Sequence, residues 1–372
     1  MHLLVDISAH GLGHLAQTAP VLAALHALLP DLRLTVRSLI PRARLAKRIA
    51  VDFTHVPEAR DFGFVMHNAV DIDLAASALR YREFHAGWRQ RVAAEAAWLR
   101  RHEVDALLSN VAYLPLAAAA EAGIPAAGLC SLNWADLFAH YFADEPWAAD
   151  IHAQILGAYN MAGSFLRVTP GLPMADITRR QEIAPIAEIG RRDRSRVSRI
   201  MDLDESERWL LLAMGGMEFR LPVENWPQVP GLNWLVPPEW RVTRQDVRSF
   251  DLPGLKFTDL LASVDAVITK PGYGTFVEAA CSGIPILYVE RKDWPETPWF
   301  AAWLATRARV AVLDRRQLAD GDFTDVLTRL WQTPAPAVPA ATGAAAAACR
   351  LVEVLGLAPG GRGGQASPRR NN

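Results

Sequence analysis

The chain has 372 residues, of which 51% are hydrophobic, enough for two domains with separate cores. Lys+Arg 39 balance Asp+Glu 40, and the formal net charge of −1 excludes a general electrostatic attraction to nucleic acid. Cys130, Cys281 and Cys349 are odd in number and far apart, which argues against a disulfide frame or a zinc site and for a reducing compartment.

In chain order, residues 3–7 read as a strand rather than a signal peptide, since no basic segment precedes them. Residues 8–14 form a loop with two glycines, 15–29 an amphipathic helix stopped at Pro30, and 32–37 the next strand. This opening is Rossmann-like, but Gly11-Leu-Gly13-His14 lacks the third glycine and a placed acid, so it supports dinucleotide binding only weakly. Residues 40–51 carry Arg42, Arg44, Lys47 and Arg48, either as a solvated face or as a surface for weak peripheral contact with anionic lipid. Asp71-x-Asp73, Asp202-x-Asp204 and Asp320-x-Asp322 are scattered Asp-x-Asp matches that follow no strand, so no metal site is assigned. A long helix over 81–102 leads to a strand at 104–109, a helix at 113–122 and a strand at 125–129. No apolar run is long enough to span a membrane.

Residues 170–190 read as a crossover, and 209–213 as an apolar strand ending in a turn with Gly215 and Gly216. The organising stretch is 256–290. It reads as a short helix, a buried strand at 264–269 and a glycine break at 271–275. A helix follows from Thr275 with Glu278 in its first turn, then a strand at 286–289. A glycine turn between a strand and a helix N-terminus suits a phosphate, because free amides and the helix dipole both point at it. The sequence Glu121-Ala-Gly-Ile-Pro125 echoes Ala280-Cys-Ser-Gly-Ile-Pro285, as expected of two similar α/β units. Residues 360–372 are rich in Gly, Arg and Ser and predict disorder.

The 256–290 stretch resembles the donor-binding core of the two-domain (GT-B) glycosyltransferases. That resemblance implies a ribose-binding role for Glu278 and a diphosphate-binding turn at Gly272, Tyr273, Gly274 and Thr275. Gly215 and Gly216 match the glycine pair that ends the donor domain's first strand, and Phe257 and Thr258 fall where the nucleobase is contacted. Asp293 and Glu296 fall where donor-sugar hydroxyls are bound, with Lys270, Arg291 and Lys292 available to the diphosphate. The first turn resembles the family's Gly-x-Gly-His turn, which puts Gly13 beside the donor and makes His14 the base for an acceptor hydroxyl, with His10 the second candidate.

Ser109-Asn-Val-Ala-Tyr-Leu-Pro-Leu, Ser131-Leu-Asn-Trp-Ala-Asp136 and Arg167-Val-Thr-Pro-Gly-Leu-Pro-Met174 resemble one branch closely: the glycosyltransferase-like N-terminal region of L-arabinokinase-type proteins. That family often has Asp where this chain has Asn110. Asn110 can hold an imidazole but stabilises its cation less well, which leaves Asp136 as a stand-in and Asn133 and Trp134 beside it in the cleft.

The resulting expectation is an α/β protein of GT-B architecture, with two Rossmann-like domains facing a cleft. Residues 1–170 form the acceptor-side domain, 171–190 the linker, 191–358 the donor domain and 359–372 a tail. The resemblance implies metal-independent transfer of a sugar from a UDP- or dTDP-sugar to an unnamed acceptor, with the nucleotide-sugar as substrate and no separate cofactor. It implies a cytoplasmic protein, in contact with the inner membrane if the basic stretch binds lipid. The alternatives are a nucleotide-sugar hydrolase or epimerase in which His14 activates water, and a non-catalytic nucleotide-sugar-binding module, which Asn110 would suit.

Overall fold

The computed structural model describes residues 1–68, 71–215, 220–289, 291 and 293–357; Gly216, Lys292 and the 359–372 tail lie outside the described residues. The first sheet contains β1 (His2–Ile7), β2 (Arg33–Arg37), β3 (Thr54–Val56), β4 (Ala106–Asn110), β5 (Ala126–Cys130), β6 (Ser164–Val168) and β7 (Arg180–Ile183), in the order β3-β2-β1-β4-β5-β6-β7. The second contains β8 (Arg208–Ala213), β9 (Leu232–Val236), β10 (Val247–Ser249), β11 (Ala266–Thr269), β12 (Ile286–Val289) and β13 (Val310–Leu313), in the order β10-β9-β8-β11-β12-β13. Every pairing within the two sheets is parallel. β1, β4, β5, β9, β11 and β12 are buried along their whole length, which is why they read as short continuous apolar runs.

In each sheet the strand order reverses beside its first strand, between β1 and β4 and between β8 and β11. Open parallel sheets hold ligands in the crevice outside the strand ends at such a reversal. The ends of these four strands and the segments after them carry His10 to His14, Asn110, Gly215 and Lys270 to Gly274. The expected pair of Rossmann-like lobes is therefore present.

Several boundaries differ from the sequence reading. Helix α1 (Leu12–Leu28) starts three residues earlier than expected, so His14 sits in its first turn. The helix Tyr273–Cys281 also starts early, with extended Gly272 as its N-cap, and this moves Glu278 from the first turn to the second. The long helix expected over 81–102 is two helices, Leu74–Ala86 and Trp88–Arg101, parted at Gly87. Residues read as linker supply the edge strand β7, and the last helix, Gly343–Val354, packs against α1 and beside β5, β6 and β7. Apolar periodicity marks a buried helix face but not which lobe buries it.

The lobes meet where α1 crosses the helix Tyr273–Cys281. A Cβ added at Gly274 would lie 2.9 Å from the Ala16 Cβ, and one at Gly13 would lie 3.8 Å from the Tyr273 Cβ. The buried Tyr273 hydroxyl accepts from the Ile186 amide at 2.9 Å and donates to the Thr169 carbonyl at 3.1 Å, bolting this helix to the crossover chain. Gly274→Ala forces the two helices apart and is expected to cost about 1–3 kcal/mol. A urea midpoint equal to wild type would show that the lobes do not close on this contact.

Candidate functional site at the lobe interface

His14, in the first turn of α1, points its ring toward the end of β4, where its Nδ1 lies 2.8 Å from the Asn110 Oδ1. The Asn110 amide nitrogen donates to the Thr18 hydroxyl at 3.0 Å, to the His14 carbonyl at 3.3 Å and to the Gln17 Oε1 at 3.4 Å, so its oxygen faces the imidazole. An oxygen at that position accepts the Nδ1 proton and leaves the Nε2 lone pair to act as a base. Burial pushes the His14 pKa down to about 4, opposed by the Asn110 hydrogen bond, so the ring is neutral at pH 7. A carboxylate in place of Asn110 would counter the ring's positive charge; the amide only orients it.

The network crosses to the other lobe. The Gln17 Nε2 donates to the Ser131 hydroxyl at 3.0 Å, and the Ser131 hydroxyl donates to the Glu296 Oε1 at 2.9 Å. The indole of Trp294 donates to the other Glu296 oxygen at 3.1 Å. Glu296 is buried, and burial pushes its pKa up to about 7 against these two hydrogen bonds. Sequence reasoning assigned Glu296 to donor hydroxyls; here both its oxygens are engaged by Ser131 and Trp294. It missed Gln17 and Ser131. Gln17 lies three residues after His14 on α1, a helical spacing that puts both on one face.

Cationic groups gather beside this network. Arg291 is buried with its guanidinium 3.6 Å from the centre of the Trp294 ring. Lys270 has no ion-pair partner among the described residues and runs beside Gly215, where an added Cβ would meet its Cε at 3.2 Å. Burial, then the Arg291 charge, hold the Lys270 pKa down to about 8, with Glu296 opposing; burial holds Arg291 down to about 10. His10 stands nearby, its ring 5.2 Å from Trp134 and 6.0 Å from Trp294, and its buried Nε2 has no hydrogen-bond partner among the described residues. Burial, with the charges of His14, Arg291 and Lys270, pushes His10 down to about 3.

Glu278 is buried, and Arg48 of the first lobe grips it with both guanidinium nitrogens, at 2.6 Å and 3.1 Å. Phe257 is at the same place, its ring centre 5.5 Å from the Arg48 guanidinium, and Thr258 is buried on the same helix, Phe257–Leu261. Lys47 pairs with Asp251 at 2.7 Å, so part of the basic stretch read as a solvated or lipid-facing surface binds the second lobe. No helix among the described residues is long and apolar enough to cross a membrane.

Two assigned residues lie apart from this cluster. Asp136 neighbours Asp176, His152 and the Met174 backbone, and its amide is held by Asn133, the N-cap of the helix Trp134–Phe142. None of these groups belongs to the His14 network. Asp293 is exposed and pairs with His140 of the first lobe at 2.8 Å, while its carbonyl accepts from the Tyr141 hydroxyl. Gly272 and Thr275 are part-exposed at the start of the Tyr273–Cys281 helix.

A cavity of about 680 Å³ opens in the first lobe beside His10, walled by Phe62, Phe64 and Phe84 with Arg80 and Arg91 at its rim. Asp61 lines it too; its carboxylate accepts from the Trp134 indole at 2.9 Å, and burial pushes its pKa up to about 6. Its lining residues are spread from Ser8 to Arg91 and converge only after folding.

The folded protein holds the Glu296 proton more tightly than the unfolded chain does. This group therefore favours folding below its ordinary value of 4.5, and that contribution is lost as pH rises through about 7. Glu296→Gln keeps a neutral group throughout. Its stability relative to wild type is expected to rise from pH 5 to pH 8, by about 1–3 kcal/mol in urea unfolding. A pH-independent difference would mean that Glu296 stays ionised across the range.

No protein-family model matches the chain. It is 24% identical over 347 residues to the L-arabinokinase of Arabidopsis thaliana; the match covers 87% of this chain but 31% of that protein, so the chain spans about a third of the curated relative. Among solved structures it resembles the calicheamicin glycosyltransferase CalG4, with a TM-score of 0.61 at 16% identity over 96% of this chain and 99% of that one. It also resembles the spinosyn rhamnosyltransferase SpnG complexed with thymidine diphosphate, with a TM-score of 0.54 at 19% identity over 96% of this chain and 97% of that one. At such identities the likeness is one of fold, and the two facing parallel-sheet lobes are those of the GT-B architecture.

Proposed function

We propose that this protein is a glycosyltransferase that moves a sugar from a nucleoside-diphosphate sugar to a hydroxyl acceptor. The observation that carries the reading is the convergence, in one interlobe space, of two helix first turns, the half-buried Lys270 and the buried Arg291, and a neutral His14. Positive helix ends and cations that repel one another suit a diphosphate. A neutral imidazole beside them suits proton abstraction. The solved neighbour with thymidine diphosphate supports a nucleoside-diphosphate donor.

In this reading the donor's diphosphate meets the main chain of Gly13, Gly215 and Gly272 to Thr275, with Lys270 and Arg291 beside it. Gly216 and Lys292 are assigned to the same ligand from the sequence. Glu278 accepts from the ribose, with Phe257 and Thr258 near the base. The acceptor enters through the cavity beside His10 and Asp61. The His14 Nε2 takes the acceptor's proton as the new glycosidic bond forms, and the bond between the sugar carbon and the diphosphate breaks with its electron pair leaving on the diphosphate. The cations and amides stabilise that charge without needing to move. Asp136 and Asp293, given their surroundings, serve structure in this reading.

Labelled UDP- and dTDP-sugars, incubated with and without candidate acceptors, test the reading. Turnover is expected to depend on acceptor. His14→Ala is expected to slow it about 10²–10⁴-fold while nucleotide affinity is retained. Release of free sugar without acceptor would favour the hydrolase, and tight binding with no turnover by wild type would leave a binding module.

A further inference from the structure

Glu278 is the carboxylate to which the reading above assigns the donor ribose, and it is not open to a ligand. Its side chain is 2% exposed, and both oxygens are taken by the Arg48 guanidinium. Arg48 follows helix α2 (Arg42–Ala46), in the opposite lobe, so the pair ties the two lobes across the nucleoside end of the cleft. A ribose diol and a bidentate guanidinium bring the same kind of group, two donors at matching spacing, to the same two oxygens.

We infer that Arg48 is an intramolecular competitor for the ribose: it closes the donor site by capping Glu278 and leaves when a nucleotide's diol replaces it. Arg48 has a second position ready. Its Nη1 already lies 3.3 Å from Glu188, and the face of Phe257 is 5.5 Å from its guanidinium, so release from Glu278 does not strand a buried cation. Lys256, 3.4 Å from Glu188, is the other cation at that carboxylate. Burial pushes the Glu278 pKa up, and the Arg48 charge and hydrogen bonds oppose that rise.

The inference rests on Glu278 as the ribose acceptor, and titration calorimetry on the full chain separates the two claims. The probes are UDP, which carries the diol, and inorganic pyrophosphate, which does not. Arg48→Ala is expected to tighten UDP on the order of tenfold, the weight of an exchanged charge-assisted hydrogen bond or two, and to leave pyrophosphate unchanged. UDP affinity unchanged or weakened in the variant overturns the inference. So does an equal tightening of pyrophosphate, which would mark a general loosening of the lobes. If Arg48→Ala does not fold, Arg48→Gln removes the charge while keeping a polar side chain, and the same directions are expected at smaller size. Failure of UDP, dTDP and pyrophosphate to bind wild type or either variant would instead overturn the donor-site reading itself.

Discussion

The contact on which the rest of this structure depends is the crossing of two helix first turns at Gly13, Ala16 and Gly274. It is close because no side chain at Gly274 stands between the backbones, and it brings two positive helix ends together. Lys270 and Arg291 add charge to the same region, where burial first and then the Arg291 charge hold the Lys270 pKa down. Glu296, bound to Ser131 and Trp294, is the carboxylate that opposes both cations. Such a region is stable as it stands but gains from an anion, which is the physical basis of the donor-site proposal.

The base assignment turns on a single amide. Asn110 sets the orientation of His14 through a hydrogen bond that a carboxylate could also make, but it brings no charge to hold an imidazolium. The consequence is a ring kept neutral by burial and oriented by a directional chain. Asn110 is itself held by Thr18 and Gln17, and Gln17 is held by Ser131. Because Ser131 meets Glu296, the carboxylate lacking beside the base is present at the far end of a chain that is complete only when the lobes are together. The sequence-level substitute, Asp136, is bound up with a helix N-terminus instead.

Much of the fold could be read beforehand, and for an identifiable reason. Parallel strands buried on both faces leave short apolar runs, and glycine turns punctuate them, so the βαβ order and both glycine turns were legible. Helix starts were misplaced by two or three residues, at Leu12 and at Tyr273, because neither N-cap has a side-chain acceptor: Gly11 and Gly272 stand in those places. The return of the helix Gly343–Val354 to the first sheet was not legible, since its alanine-rich face would suit either lobe.

The amino-acid sequence by itself determined the two α/β halves, the glycine turns at the strand ends, and which types of residue stand on them: imidazole at 14, amide at 110, carboxylate at 278. These are local properties, carried by periodicity, glycine placement and side-chain chemistry within a few residues. Tertiary structure alone decided which groups meet: Arg48 with Glu278 across 230 positions, Ser131 with Glu296 across 165, and Asp61 with Trp134 at the mouth of the cavity. Those pairings follow from how the two lobes dock, and docking depends on shape and charge summed over distant segments, which no local pattern encodes.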